Sequence, residues 1–320
     1  MRIENNLRLK EIQQAFEGKT IRVIAPASGT SPEKIDALRL MAQQAEKLSL
    51  EIPLDLLSND VPYHSGSDEH RLEQLKSVLF DSRSNIVIWT LRGGYGSARL
   101  LSQLNKLPKP KVPKVFIGFS DNTALHLFLS QQWGWSTIHA SGFAQLLDPN
   151  QETENFQRIA QVISQEVPEQ SIQHLKPLNK AATENRAVKG CLTGGNLTIL
   201  ENSIGTFWQV KTAGKILFLE EVGEKGYRVD RTLYHLYEAN LFQDVQAIVL
   251  GQFLEPSQDG TMAFALARFA GEMDQVSSNQ RKGIPVYQTD QFGHGNKNYP
   301  LIYNAESEIN AGTLSMKVRS

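Results

Sequence analysis

Short β-rich runs alternate with amphipathic helical stretches through the first half of the chain. Residues 21–25 and 85–90 have the composition of strands, whereas 32–50 and 68–80 space their apolar residues as helices do. Such alternation predicts βαβ units and a parallel sheet with helices on both faces. Because the carboxyl ends of parallel strands share one edge of the sheet, functional residues are expected along that edge.

The chain is long enough for two domains. At 320 residues it exceeds a typical single domain, and the alternation ends near residue 150. We therefore predict an N-terminal α/β domain at 1–150, a Gln/Glu-rich connecting segment at 151–185 and a second domain at 186–320. The predicted fold class is α/β: a flavodoxin-like, doubly wound parallel-sheet domain, followed by a second α/β domain rich in β-strands.

Composition points to a small-molecule partner in the cytoplasm. Thirty-three Lys and Arg against 34 Asp and Glu leave a net charge of −1, so no global field would attract nucleic acid or an anionic membrane. Cys191 is the only cysteine, which excludes intramolecular disulfides and thiolate clusters. Residues 1–10 lack the apolar stretch of a secretory signal, and no window resembles a membrane span. A soluble cytoplasmic protein is expected.

Ser120 stands where an apolar run ends and a polar helix start begins. Residues 115–119 are predicted to form a strand, and the helix opens at Asp121. A hydroxyl at such a turn projects from the sheet edge, next to the unpaired N–H groups and positive dipole end of the helix. Ser120 is therefore a candidate nucleophile, although serine is also a common helix cap.

A serine nucleophile needs a base, and the base needs a carboxylate to orient it. Of the seven histidines, only His294 is flanked by glycines on both sides, which would let a loop aim its imidazole into a cleft. Glu220 follows four apolar residues, 216–219, at the end of a predicted strand. It could equally be a solvated strand end, since Glu221 and Glu224 are nearby and equally plausible ions.

Three other classes of protein are considered. His70 and Glu73 match the H-x-x-E pattern of a zinc site, with His174 as a third ligand, although H-x-x-E arises easily by chance. The segment from Gly94 begins a G-x-G-x-x-G nucleotide fingerprint, but Arg99 occupies its third glycine position. A binding module without catalysis is the third class, and binding without turnover would identify it.

Short motifs along nearly the whole chain together resemble one family. They are Ala25-Pro-Ala-Ser28, Gly66-Ser-Asp68 with Arg71, Arg92-Gly-Gly-Tyr-Gly96, Gly118-Phe-Ser-Asp121 with Thr123, Gly194-Gly-Asn196, Leu219-Glu220 followed by Tyr227-Arg228 and Asp230-Arg231, Gly251 with Phe253, and Phe292-Gly-His294 with Pro300. In this order they resemble the LD-carboxypeptidase family of serine peptidases, which includes murein tetrapeptide carboxypeptidases and microcin C self-immunity peptidases.

The resemblance implies a role for each matching residue. Ser120 would be the nucleophile, His294 the base and Glu220 the acid that orients the base. The oxyanion hole would use the backbone N–H of Asp121 and that of Gly93 or Gly94. Because the serine and its partners lie in different predicted domains, the site is expected in a cleft between them. The residues proposed to bind the substrate, including its terminal carboxylate, are Arg92, Tyr227 and Arg228. The alternative for the two arginines is that they neutralise helix ends or pair with nearby acids.

The implied activity is hydrolysis of the bond between an L-residue and a C-terminal D-amino acid in a murein tetrapeptide, during peptidoglycan recycling. The alternative is self-immunity through cleavage of a toxic peptide–nucleotide or aminoacyl conjugate. The expected partner is a small peptide substrate, with no cofactor, metal, nucleic acid or membrane, and a homodimer remains an open alternative. Tyr303 stands where most family members have glycine, which would alter the edge of the cleft.

Overall fold

A computed structural model describes residues 2–45, 48–58, 61–184, 187–256, 260–278 and 281–318. The chain divides into two compact units, Met1–Val167 and Pro168–Ser320. This division falls inside the segment 151–185, which contains a helix of the first unit and short strands and a helix of the second. The predicted end of the connection at Asn185 and the predicted domain start at Arg186 lie outside the described residues.

Strands and helices alternate in the first unit. Its described elements are α1 Arg2–Ala15, β1 Thr20–Ile24, α2 Pro32–Gln44, β2 Ser49–Glu51, α3 Asp68–Leu79, β3 Ile86–Thr90, α4 Leu101–Leu104, β4 Val115–Gly118, α5 Thr123–Gln132, β5 Ile138–His139 and α6 Thr153–Ser164, with 3₁₀ helices at Ser97–Leu100, Ser120–Asn122 and Phe143–Leu147. The five strands pair in parallel in the order β2-β1-β3-β4-β5, which is the flavodoxin-like order. The predicted α/β class with a parallel sheet is confirmed.

Burial accounts for the apolar runs of this sheet. Every residue of β3 is buried, and so are four of the five residues of β1, as expected for parallel strands covered on both faces. Helix α5 is buried at eight consecutive positions, 123–130. Because α5 follows the 3₁₀ turn Ser120–Asn122, the turn that carries this serine is held between a buried strand and a buried helix.

Two loops meet where the strand order reverses between β1 and β3. The N–H of Leu91 donates to the carbonyl of Ile24 at 2.7 Å, and the N–H of Ser28 donates to the carbonyl of Gly93 at 3.3 Å. In open parallel sheets, ligands bind outside the carboxyl ends of the strands at such a switch point. The loops after β1 and β3 are therefore the expected ligand-facing part of this unit.

The second unit is built around a mixed sheet. Its described elements are β6 Glu169–Ile172, β7 Lys176–Pro177, α7 Lys180–Thr183, β8 Val188–Asn196, α8 Leu197–Ser203, β9 Lys215–Val222, α9 Gly226–Glu238, β10 Ala247–Leu254, α10 Thr261–Met273, β11 Ser277–Ser278, β12 Arg281–Lys282, β13 Val286–Gln288, β14 Leu301–Ile302, β15 Glu306–Asn310 and β16 Thr313–Lys317. Eight strands form one sheet in the order β6-β16-β15-β8-β9-β10-β13-β7. The predicted strand-rich α/β fold of the second part is confirmed.

The centre of this sheet is parallel and its edges are antiparallel. Strands β8, β9, β10 and β13 run parallel, whereas β15, β16 and β6 on one side and β7 on the other pair antiparallel. The carboxyl ends of β9 and β10 therefore lie side by side, which places Glu220 and Gln252 at one edge. Across all the described ranges, no helix is long and apolar enough to cross a membrane.

Candidate active site

Ser120 occupies a strained turn between β4 and α5. Its φ of 61° lies in the left-handed region, which costs a residue with a β-carbon about 1–2 kcal/mol. Helix capping does not account for it, because the residue at the N-cap of α5 is Asn122. A strained strand-to-helix elbow is typical of hydrolase nucleophiles, where backbone strain is retained for function. The local geometry therefore favours the nucleophile hypothesis.

The glycine turn after β3 packs directly against this serine. A β-carbon placed on Gly93 would lie 2.5 Å from Cβ and 2.7 Å from Oγ of Ser120. One placed on Gly94, whose φ is +110°, would instead overlap with Oγ of Ser28. At such distances a side chain at either position would force its neighbour or the turn to shift. Of the two glycines predicted for the oxyanion hole, Gly93 is the one that lies beside Ser120.

Buried polar side chains hold the two turns together. Nδ2 of Asn122, which is fully buried, donates to the carbonyls of Arg92 and Phe119, both at 3.1 Å. The Asp121 carboxylate accepts from the N–H of Ser97 at 2.8 Å. Because these bonds join the loop after β3 to the loop after β4, they maintain the spacing between Gly93 and Ser120.

Arg71 from the matched motif has a structural role in the same region. Its side chain is fully buried, and its guanidinium donates to the carbonyls of Pro26, Gly66 and Gly96 and pairs with Asp68. A single planar guanidinium can satisfy several acceptors in fixed directions. Arg71 therefore ties the loop after β1 to the glycine turn that packs on Ser120.

Glu220 and His294 form a close pair in the second unit. Nδ1 of His294 lies 2.6 Å from Oε2 of Glu220, and the glutamate is fully buried. Since a carboxylate only accepts, Nδ1 carries the proton, and Nε2 is left as the basic nitrogen of the neutral ring. The structure thus brings two of the predicted site residues together, from the end of β9 and from the loop before β14.

The surroundings of His294 shift its acid–base behaviour. Burial opposes the charged imidazolium, but the charge of Glu220, the hydrogen bond to it and the charge of Glu221 outweigh that effect. The pKa of His294 is therefore raised above its ordinary value of 6.5. A carboxylate partner that stabilises imidazolium in this way is what a general base in acyl transfer requires.

The suggestion that Glu221 is an equally plausible solvated ion is wrong. Glu221 is 3% exposed, and its carboxylate accepts from Nδ2 of Asn196, the N–H and Oγ1 of Thr198, and the N–H of Val222, at 2.7–3.1 Å. Successive residues of a strand face opposite sides, so Glu221 points away from His294 and holds the start of α8. The alternative of a solvated strand end for Glu220 is equally wrong, because Glu220 is buried.

Arg92 lies at a cavity in the first unit. The cavity has a volume of about 490 Å³ and is also lined by Ser28, Tyr63 and His64. The Arg92 side chain is exposed, with Nη1 3.4 Å from the carbonyl of Gly29, and no described acidic side chain pairs with it. Sequence reasoning gave Ser28 no role, yet its Oγ donates to the carbonyl of Tyr63 at 2.6 Å. A guanidinium at this cavity could hold a carboxylate.

Tyr227 and Arg228 lie at the start of α9 in the second unit. Both are exposed; Arg228 pairs with Glu224 at 3.5 Å, and its Nε lies 3.4 Å from Oη of Tyr227. Tyr303, in contrast, is fully buried and donates to the carbonyl of Gly194 at 2.7 Å. Tyr303 is therefore a core residue of this unit.

Other histidines have structural partners. In the first unit, His126 is fully buried between Oγ1 of Thr137 and the carbonyl of Gly118, and burial lowers its pKa to about 3. The ring of His70 bonds to the carbonyl of Asp55 at 2.8 Å. In the described part of the chain, no group of three or more His, Cys, Asp or Glu is placed to hold a metal ion.

Comparison with known families covers both units. A family model described as the LD-carboxypeptidase N-terminal domain matches residues 21–140, and one described as the LD-carboxypeptidase C-terminal domain matches residues 189–309. The two matches together span most of the chain.

Individual relatives match over nearly their full length. A Rickettsia conorii protein with a provisional carboxypeptidase name is 46% identical over 291 residues, 91% of this chain and 87% of the relative. The murein tetrapeptide carboxypeptidase of Pseudomonas aeruginosa is 32% identical over 311 residues, 94% of this chain and 96% of that protein. The crystal structure of muramoyltetrapeptide carboxypeptidase from Oxalobacter formigenes has the same fold, with a TM-score of 0.73 at 23% identity over 93% of this chain and 99% of that one.

Proposed function

Since the chain belongs to the LD-carboxypeptidase family, we propose that it is a serine carboxypeptidase that removes the C-terminal D-amino acid from a murein tetrapeptide. The observation that carries the chemistry is the 2.6 Å contact between Nδ1 of His294 and a fully buried Glu220. The proposed substrate is that of the Pseudomonas aeruginosa relative, to which this chain is similar over 94% of its length.

In the proposed reaction, Oγ of Ser120 attacks the carbonyl carbon of the scissile bond while Nε2 of His294 accepts the hydroxyl proton. Glu220 keeps the other ring nitrogen protonated and stabilises the imidazolium. The oxyanion is bound by the backbone N–H of Asp121 and that of Gly93, the glycine that packs on Ser120. The imidazolium then gives its proton to the departing D-amino acid, and water hydrolyses the acyl-enzyme by the same route.

The free carboxylate of the substrate requires a cation. Arg92 is proposed for this role because its guanidinium is exposed at a cavity next to the turn of Gly93 and Gly94. Arg228 and Tyr227 are proposed as further substrate contacts; Arg228 would first have to give up its pairing with Glu224. A cytoplasmic location, in keeping with a recycling role, remains a prediction.

The test is hydrolysis of defined substrates by the purified protein, followed by mass spectrometry. The substrates are a murein tetrapeptide ending in D-alanine, the same peptide ending in L-alanine and an aminoacyl-sulfamoyl nucleoside, with Ser120→Ala as the blank. We expect D-alanine to be released from the first substrate alone. Turnover of the nucleoside conjugate without turnover of the tetrapeptide would favour the self-immunity alternative, and binding without any turnover would reject the enzyme.

A further inference from the structure

One glutamine side chain forms hydrogen bonds to the loop that carries His294. Gln252 lies near the end of β10, and its amide reaches the backbone of three loop residues. Oε1 accepts from the N–H of Gly295 at 2.5 Å, and Nε2 donates to the carbonyls of Asp290 at 2.6 Å and Lys297 at 3.2 Å. The loop is thus held on both sides of the histidine by one side chain.

The glycines around His294 allow the loop backbone to come close enough for these hydrogen bonds. A β-carbon on Gly295 would lie 2.7 Å from Oε1 of Gln252. One on Gly293 would lie 2.9 Å from Cβ of Gln252. Gly293 also has a φ of +132°, which residues with a β-carbon rarely adopt. Flanking glycines therefore let the loop approach Gln252, at the cost of a backbone that is intrinsically more flexible.

A strand irregularity directs Gln252 toward the loop. The pairing of β10 with β9 shifts register between Leu250 and Phe253, so that Gly251 and Gln252 lie in a bulge. Bulges change the direction of a side chain and are common beside active sites. The backbone N–H of Gln252 also donates to the carbonyl of Phe292 at 2.9 Å. Both the backbone and the side chain of Gln252 therefore form hydrogen bonds to the loop.

We propose that Gln252 is a positioning residue. It holds the loop 290–297 so that the imidazole of His294 stays against Glu220, with Nε2 directed at the hydroxyl group of Ser120. This inference rests on the proposed function, because it assigns His294 the role of base. Glutamine suits the task because one amide offers a donor and an acceptor together. Without it, a loop with glycines on both sides of the base would sample other positions, and a displacement of about 1 Å costs roughly 10²-fold in rate.

Two variants and a matched control test the role. Gln252→Met keeps the length of the side chain but loses all three hydrogen bonds of the side-chain amide. Gln252→Glu keeps the shape and the acceptor, but at neutral pH has no donor for the carbonyls of Asp290 and Lys297. Gln288→Met is the control. Gln288 and Gln252 both line one cavity of about 610 Å³, but the side chain of Gln288 makes no hydrogen bond to the described part of the loop.

We expect both Gln252 variants to lower kcat by about 10–100-fold with KM within about threefold, and the control to match the wild type. NMR titration of the ¹⁵N-labelled His294 ring supplies a readout that lost packing alone would not move. In Gln252→Met the raised pKa of His294 should fall, because a mobile loop loses the stabilising contact with Glu220.

The outcomes separate this inference from the proposed function. Wild-type kcat in both Gln252 variants and an unchanged His294 titration in Gln252→Met would overturn the positioning role alone. An active His294→Ala enzyme would instead overturn the proposed base, and the positioning role with it. If Gln252→Met does not fold, then Gln252→Glu, which keeps the side-chain volume, decides by kcat alone, because its new carboxylate would itself raise the pKa of His294.

Discussion

Nδ1 of His294 lies 2.6 Å from Oε2 of Glu220, a residue 74 positions earlier in the chain. The glutamate side chain has no exposed surface, whereas 14% of the histidine side chain remains exposed. The pair is thus anchored on its carboxylate side. Such an arrangement fixes the tautomer of the imidazole, with the proton on Nδ1 and the basic lone pair on Nε2.

Replacing either member of this pair should nearly abolish turnover. Glu220→Gln keeps the shape but removes the charge that stabilises the imidazolium, so kcat should fall by about 10⁴. His294→Ala should lose at least as much, and the double variant should be little worse than the worse single one, because residues that act as a unit are not additive. Glu272→Gln, at a partly exposed ion pair with Arg268 on α10, is the control. A Glu220→Gln enzyme with more than about a tenth of wild-type kcat would reject the assignment.

The pH dependence of kcat/KM should report the raised pKa of His294. The base works only when neutral, so activity should rise with pH as the imidazolium loses its proton, with a midpoint above 6.5. In Glu220→Gln the stabilising charge is gone, so the midpoint of the residual activity should move to lower pH. A profile of Glu220→Gln that coincides with the wild type would show that another group controls this limb.

Ser120 combines function with backbone strain, and two substitutions separate the effects. Ser120→Ala and Ser120→Gly both remove the hydroxyl, so both should lower kcat by about 10⁴ or more. Only glycine relieves the left-handed φ of 61°, so Ser120→Gly should resist unfolding better than Ser120→Ala, by about 1 kcal/mol. Urea unfolding of the two variants measures the difference. Equal midpoints would mean that the turn is not strained.

Gly93→Ala should damage catalysis more than folding. Its β-carbon would lie 2.5 Å from Cβ of Ser120, so either the serine or the turn must shift, and a shift of about 1 Å costs roughly 10²-fold in kcat. Gly271→Ala is the control, because its β-carbon would meet nothing within 4 Å. Circular dichroism and kcat should be measured together. Full activity in Gly93→Ala would show that the turn adapts without cost.

Glu221→Gln should weaken the fold although it is chemically mild. Burial raises the pKa of Glu221, yet its carboxylate accepts hydrogen bonds from several donors, and an amide NH₂ would face at least one of them. We expect a loss of about 1–3 kcal/mol, seen as a lower thermal midpoint, with Glu224→Gln unchanged. Retained stability in Glu221→Gln would mean that these bonds contribute little.

Local sequence patterns determined much of the architecture. The alternation of apolar runs and helical periodicity predicted the parallel sheet of the first unit, and the change from strand to polar helix start marked the turn at Ser120. Such signals depend on neighbours along the chain, through backbone preferences and burial of one face. The roles of Ser120, Glu220 and His294 were inferred from local context together with family resemblance, and they remain predictions.

Local sequence pattern could not distinguish Glu220 from Glu221, whereas the tertiary structure separates their contacts. Both follow the same apolar strand, but one contacts His294 and the other holds Asn196 and Thr198. Tyr303 is a core residue for a similar reason, since the group that accepts its hydrogen bond is 109 positions away. No sequence motif identified Gln252, because its hydrogen-bond partners are backbone groups of a distant loop. The sequence by itself determined what short-range propensity and periodicity control; packing between distant segments decided which neighbouring side chain meets which partner.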